Sequence, residues 1–399
     1  MLYQYAALKT VMNKKLLHIL YPLLISVFFT ATSNAQNFWM EIVLPDNAEY
    51  RAIAFNSEQI LYVATDKGLY RSYNNGITFN DRVFLNYTGE IYINKENLIC
   101  IQTSPTTLHY SINNDETWIA SELPVQNACN INKIYTFSNI FLTANWCGIY
   151  KTANYGESWQ TALQLSPSQN VTSLARDSEG VLFAGLINYS INGDGGVYRS
   201  FDNGTSWELC GLNYEFISDI AVNSKNELFA TSRGHFFEGG GGVFRSSDKG
   251  ETWMELRNDV LATSVAITQK NKIYLACTGE HGHQGGIFFS EDNGESWCIE
   301  NSGLTSENME DIALGSSGFL FSMNKYFQLF RSLQPVSGVR ILDKKNSNIK
   351  VNIYKNNEEI IVYVKINFQE PFREKIYLYL FNTAGIIIKK KILETHETN

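Results

Sequence analysis

The chain is poor in charge and carries no basic excess. Asp and Glu number 40 against 32 Lys and Arg, a formal net charge of −8, and charged residues make up only 18% of the sequence. No stripe of Lys or Arg runs through its central part, which argues against nucleic acid or acidic membrane surfaces as partners. A long apolar run is also missing. The apolar stretch from Leu16 to Phe29 is short for a membrane span. Cysteine is sparse, and Gln36 rather than Cys stands directly after Ser33-Asn-Ala35, so a lipoprotein is not expected. What the N-terminus does hold reads as a secretory signal over residues 1–35. Lys14 and Lys15 precede the apolar stretch, and Ser33-Asn-Ala35 offers a small-x-small cleavage site before Gln36. Met12 is an alternative start, and an uncleaved anchor is the competing reading of the same stretch. Hydrophobic residues at 44% and aromatics at 13% suffice for a packed core.

Against this background one phrase recurs. It reads Ser72-Tyr-Asn-Asn-Gly-Ile-Thr-Phe79, Ser111-Ile-Asn-Asn-Asp-Glu-Thr-Trp118, Thr152-Ala-Asn-Tyr-Gly-Glu-Ser-Trp159, Ser200-Phe-Asp-Asn-Gly-Thr-Ser-Trp207, Ser246-Ser-Asp-Lys-Gly-Glu-Thr-Trp253 and Ser290-Glu-Asp-Asn-Gly-Glu-Ser-Trp297. Phe79 and Asp115 depart from Ser/Thr-x-Asp/Asn-x-Gly-x-Ser/Thr-Trp. The copies follow one another after 39, 41, 48, 46 and 44 residues, the period of a propeller blade. Between two strand-like runs the Asp or Asn can accept N–H groups further round a turn. The Gly supplies a positive φ, and the Trp carries apolar surface to wedge between sheets. Two more strands precede each phrase, as in Ile217-Ser-Asp-Ile-Ala-Val222 and Glu227-Leu-Phe-Ala-Thr231, so each period predicts four antiparallel strands.

On these residues the chain resembles the Asp-box, or BNR-repeat, β-propellers, a group spanning sialidases, xyloglucanase-type hydrolases, sortilin-type receptors and photosystem II assembly factor-like proteins. A seventh unit runs from Met309 through Phe319-Leu-Phe-Ser322 to Gln328-Leu-Phe-Arg-Ser332, where Leu333-Gln-Pro335 replaces the turn and no Trp follows. Phe38-Trp-Met-Glu-Ile42 matches Thr252-Trp-Met-Glu-Leu256 and precedes the first unit. An N-terminal strand completing the last blade is therefore expected, giving an all-β, seven-bladed ring over residues 36–335 with no free sheet edge.

Residues 336–399 lose the period and read as a small β-sandwich with strands near 349–354, 359–366, 375–381 and 386–392. Val351-Asn-Ile-Tyr354 and Tyr377-Leu-Tyr-Leu-Phe-Asn-Thr-Ala-Gly385 resemble the C-terminal sorting domain of type IX secretion in Bacteroidetes. Tyr354 runs into Lys-Asn-Asn357 where that family has Pro-Asn-Pro, and the chain ends at Asn399 before its last hairpin. The resemblance implies the secretion machinery as a partner, with a secreted or cell-surface location, and a periplasmic one if the signal is inactive. Of the six cysteines, Cys129 and Cys147 are the disulfide candidates, because both fall on loops at one end of blade 3. Cys100 and Cys277 read as buried strand residues, and Cys210 and Cys298 as outer-strand residues of different blades.

Ligands of propellers meet the face opposite the Asp boxes. Enlarged loops there carry Asp194, His235, Glu238, Glu280, His281 and His283, which are the ligand-binding candidates; no metal or other cofactor is expected from so weak a spacing. A sialidase needs three arginines and a Tyr–Glu pair. Tyr50-Arg-Ala-Ile53 resembles that family's Tyr/Phe-Arg-Ile-Pro without the Pro, whereas Arg71, Arg199, Arg245 and Arg331 share one repeat position and so serve the blades. That leaves Arg51, Arg176 and Arg233. A xyloglucanase-type hydrolase needs two carboxylates, for which Asp219 and Asp311 are the alternative catalytic candidates. The expectation is an exported, monomeric, non-catalytic scaffold for a protein, peptide or glycan ligand; the alternative is a glycoside hydrolase.

Overall fold

The computed structural model describes residues 37–79, 81–124, 130–190, 195–234, 241–315 and 317–336, together with four strands between residues 347 and 393. Over residues 37–336 it is a β-propeller of seven four-stranded antiparallel sheets. The innermost strands are Tyr50–Phe55, Ile91–Ile93, Lys133–Phe137, Gln169–Arg176, Ile217–Val222, Leu261–Ile267 and Met309–Leu314, for blades 1 to 7. Among the described residues the helical content is one short 3-10 turn at Pro45–Asn47.

The ring closes as the repeat count required. Trp39–Ile42 pairs with Leu329–Ser332 as the outer strand of blade 7, with Trp39 opposite Ser332 and Ile42 opposite Leu329. Trp39 is 1% exposed, and its indole N–H donates to the Glu300 carbonyl at 2.8 Å.

Each box tryptophan packs against the cluster joining its own blade to the preceding one. Trp118, Trp159, Trp207, Trp253 and Trp297 take these places in turn, Trp39 fills the seam between blades 6 and 7, and Phe79 fills that between blades 7 and 1. Seven seams thus receive seven aromatic wedges, which makes packing between blades, rather than within one, the main hydrophobic core.

The turns form as the sequence implied, with one addition. The box Asp or Asn accepts the backbone N–H four residues on, at 2.9 to 3.1 Å, in Asn74, Asn113, Asn154, Asp202, Asp248 and Asp292. The first Ser or Thr accepts the N–H of the Gly position, as Gly250 N to Ser246 Oγ at 2.8 Å. Positive φ falls on two successive residues, however, such as Lys249 at 60° and Gly250 at 89°. Asn occupies the first of these in four boxes because its short polar side chain tolerates that region.

The recurrent arginines reach across to the next blade. Arg199, Arg245 and Arg331 donate to the carbonyls of Lys249, Asn293 and Asn75 inside the neighbouring box. Arg71 meets the departure in box two: Asp115 accepts Arg71 at 3.0 and 3.1 Å and the Tyr62 hydroxyl at 2.7 Å. A carboxylate there replaces the carbonyl contact of blades 4, 5 and 7.

Beyond the propeller, Ser347–Lys355 pairs with Ile360–Phe368, and Ile376–Phe381 with Ile387–Leu393. Each forms a separate antiparallel two-stranded ladder.

Candidate functional site

Strand register brings one side chain per blade to the same level near the start of the innermost strand. Ala52 lies opposite Ala64, Lys133 opposite Ala144, Ser173 opposite Gly185, Asp219 opposite Thr231, Ser264 opposite Ala276 and Asp311 opposite Met323. Glu90 takes the place in blade 2, where its carbonyl accepts the Gln102 N–H. In blades 1 and 4 to 7 the preceding residue is a β-bulge, which turns the following side chain toward the axis. Bulge hydroxyls then tie blade to blade: Ser218 donates to Ala262 O at 2.6 Å and Thr263 to Met309 O at 3.0 Å. Arg51 and Glu310 stand at this position in blades 1 and 7.

The level carries three carboxylates and one ammonium. Lys133 pairs with Glu90 at 3.0 Å, with 40% of the Lys133 side chain and 19% of the Glu90 side chain still open to water. The Glu90 carboxylate, helped by the Asp311 and Asp219 charges, raises the Lys133 pKa despite its enclosure. Burial pushes the Glu90 carboxyl up, further than Lys133 pulls it back.

Asp219 and Asp311 converge on Ser264. The Ser264 Oγ lies 2.9 Å from Asp219 Oδ2 and 3.0 Å from Asp311 Oδ1, so the two carboxylate oxygens are at most about 6 Å apart. Asp219 Oδ2 also accepts the Val265 N–H at 3.0 Å, and the Tyr50 hydroxyl donates to Asp311 Oδ2 at 3.3 Å. A hydroxyl has one hydrogen for these two oxygens, so bonding both requires a proton on a carboxyl. Asp219 is shifted toward the protonated form. Loss of solvent raises its pKa to about 6, with the Asp311 charge adding to the rise. Burial and Asp311 hold the Tyr50 phenol well above its ordinary range.

Of the loop candidates, Glu280, His281 and His283 fall within the described residues. Glu280 pairs with Lys325 at 3.4 Å, the His283 ring meets the Asp259 carbonyl at 3.1 Å, and His281 is exposed on a turn at φ 53°. His235, Glu238, Asp194 and Cys129 lie outside the described residues. Among the described residues no three His, Cys, Asp or Glu side chains converge as metal ligands do. Cys147 is disulfide-bonded, while Cys100, Cys210, Cys277 and Cys298 are free. Arg51, Arg176 and Arg233 are engaged separately: Arg51 with Glu49, Arg176 over Phe137, and Arg233 with Glu310. None of these contacts builds a carboxylate-binding triad.

The sequence did not single out Glu90, Lys133 or Ser264, and it raised Tyr50 only through its sialidase-like context. The signal was present, since each of the seven inward positions is followed by an aliphatic residue and then Ala or Tyr, as in Glu90-Ile-Tyr92, Lys133-Ile-Tyr135 and Ser264-Val-Ala266. It missed the upper rim as well, where Trp146 and Tyr189 stack with centroids 5.5 Å apart.

Comparison with known proteins supports the architecture. The structure of YCF48 bound to D1 peptide is similar with a TM-score of 0.59 and 18% identity, over 77% of this chain and 99% of that one. A GH74 enzyme from Niastella koreensis gives 0.58 and 14%, over 80% and 57%. The extracellular domain of the one component system BT4673 from B. thetaiotaomicron gives 0.57 and 10%, over 82% and 45%. No protein-family model and no curated protein matches the sequence. Fold and comparisons together define a seven-bladed β-propeller.

Proposed function

We propose that the chain is an exported, non-catalytic propeller that binds a protein, peptide or glycan ligand on the face opposite its Asp boxes. One observation carries the reading. The Ser264 hydroxyl occupies the space between Asp219 and Asp311, where a hydrolase must place the scissile bond or the attacking water. Both carboxylates are engaged in contacts within the ring. Neighbours of the same fold support a binding role, among them a complex with a peptide and extracellular domains of one component and hybrid two component systems. The signal at residues 1–35 and the type IX-like segment at 336–399 extend the proposal to secretion, as features of sequence.

One observation favours the alternative of a glycoside hydrolase. Asp219, with a pKa near 6, beside Asp311 resembles an acid and its partner carboxylate. Hydrolysis assays on a glycan panel, with Asp219→Ala and Asp311→Ala as controls, decide between them. No turnover is expected from any form. Turnover by the native chain that both substitutions abolish sinks the non-catalytic reading.

A further inference from the structure

We propose that the Trp146–Tyr189 step on the rim of blades 3 and 4 is a binding site for an uncharged saccharide. The inference rests on the reading above that this face binds ligands, and it names the ligand's chemistry. Trp146 is 40% exposed and Tyr189 51% exposed, with ring planes only 11° apart. Large aromatic rings left open to water in parallel present flat apolar faces of the kind that pack on the C–H face of a pyranose.

The rings are held in place before any ligand arrives. Trp146 sits in the turn between Ile140–Asn145 and Gly148–Thr152, where Asn145 Oδ1 accepts the N–H groups of Cys147 and Gly148 at 2.7 and 3.1 Å. The disulfide at Cys147 pins the same turn. The Cys147 carbonyl accepts the Leu165 N–H and the Gln164 amide, both at 3.0 Å, which joins this turn to the link into blade 4. From that link the Ser168 carbonyl accepts the Tyr189 N–H at 2.9 Å, and Phe216 meets the Tyr189 ring edge-on at 5.5 Å. One hydrogen-bonded frame therefore fixes both rings, and rigid aromatics lose little entropy on binding.

The chemistry of the surroundings selects the ligand. Residues 140–150, 160–175 and 181–190, which supply the rings and their frame, contain no Asp, Glu, Lys or Arg. These stretches are neutral in a chain of net charge −8, and the next carboxylate on the Tyr189 loop, Asp194, lies outside the described residues. Its polar collar is made of hydroxyls and amides: the Ser190 Oγ donates to Ser168 Oγ at 2.7 Å, and Ser166 and Gln169 bond to each other beside them. Such groups both donate and accept, which matches sugar hydroxyls.

Titration of the native chain with cellohexaose, xylohexaose and mannohexaose tests this, using 3′-sialyllactose and a decaproline peptide as counter-probes. Binding is read by calorimetry and by the tryptophan emission lost in Trp146→Phe. Saturable binding of at least one neutral hexasaccharide is expected, insensitive to salt and weakened about tenfold or more in Trp146→Ala and in Tyr189→Ala. Phe201→Ala, on the Asp-box face, leaves it unchanged. Because both rings are exposed, the variants should melt with the native chain. The proposal is overturned if no neutral hexasaccharide binds, if binding survives both ring substitutions, or if decaproline alone occupies the step. Failure of this kind leaves a protein-binding upper face standing, whereas cleavage of a bound hexasaccharide sinks the non-catalytic reading and keeps the site.

Discussion

Aspartates at the two ends of the propeller do opposite things. On the box face Asp202, Asp248 and Asp292 stand in or near solvent, each accepting a Ser or Thr hydroxyl and a backbone N–H four residues on. Their pKa values fall, to about 2 for Asp292 through the Ser296 hydroxyl and N–H. At the other end Asp219 and Asp311 crowd one serine hydroxyl, and Asp219 rises to about 6. The box aspartates recur because every blade has the same turn to close. The channel residues differ from blade to blade because they share one axis and must complement one another. Repetition here marks what the fold needs, and variation at an equivalent position marks where a site can be built.

The largest effect on this contrast is expected from removing a wedge that serves the ring as a whole. Trp39→Ala should cost about 3–5 kcal/mol, since the side chain is fully buried and its strand also closes the propeller. Calorimetric melting would show it. A loss no larger than that of a surface substitution would mean that the closing strand contributes little.

Next comes the pH dependence of Asp219→Asn. A carboxyl raised from 3.8 to about 6 contributes most when protonated. Its contribution is full below the unfolded pKa and is lost as pH rises through about 6. A rise of this size is equivalent to up to about 3 kcal/mol. The Asn variant should therefore be relatively more stable at pH 8 than at pH 4.5 when each is compared with the native chain by urea unfolding. An identical difference at both pH values would break the contrast between the two ends.

The smallest effect belongs to a single box. Asp248→Ala should cost about 1–2 kcal/mol by leaving the Thr252 N–H and hydroxyl to water. The sign with pH is reversed here, because the Asp248 pKa is lowered, first by the Thr252 hydroxyl. Its contribution is present above the ordinary aspartate range and fades as pH falls below it. Asn at the same position should recover most of the loss, as Asn74, Asn113 and Asn154 already do in blades 1 to 3. If it recovers none, charge rather than geometry holds the turn.

Much of the ring was legible because its signals are local. A turn needs a side-chain acceptor, a positive-φ residue and a Trp at fixed offsets, so six copies can be read by eye, and the match of Trp39 to Trp253 revealed the closure. The channel was not legible in the same way. Asp219 and Ser264 are neighbours because blades 5 and 6 are adjacent and their inner strands carry a bulge at the same place; their shared context marks equivalent positions but not which side chains meet. Asp219 and Asp311 stood out by their shared Asp-Ile-Ala context, while Lys133 and Glu90 hid in more divergent surroundings. The rim tryptophan escaped notice for another reason. Trp146 belongs to no box, and its significance comes from Tyr189 on another blade.

The pairing of the first described strand with the last strand of the ring also has a temporal meaning. Arg331 meets the Met40 sulfur across 291 residues of chain. The final seam can form only once residue 332 is available, so a chain emerging from its amino end waits with one blade short of an edge. Contacts of such sequence separation form slowly. Until that moment Trp39–Ile42 stays without its partner strand.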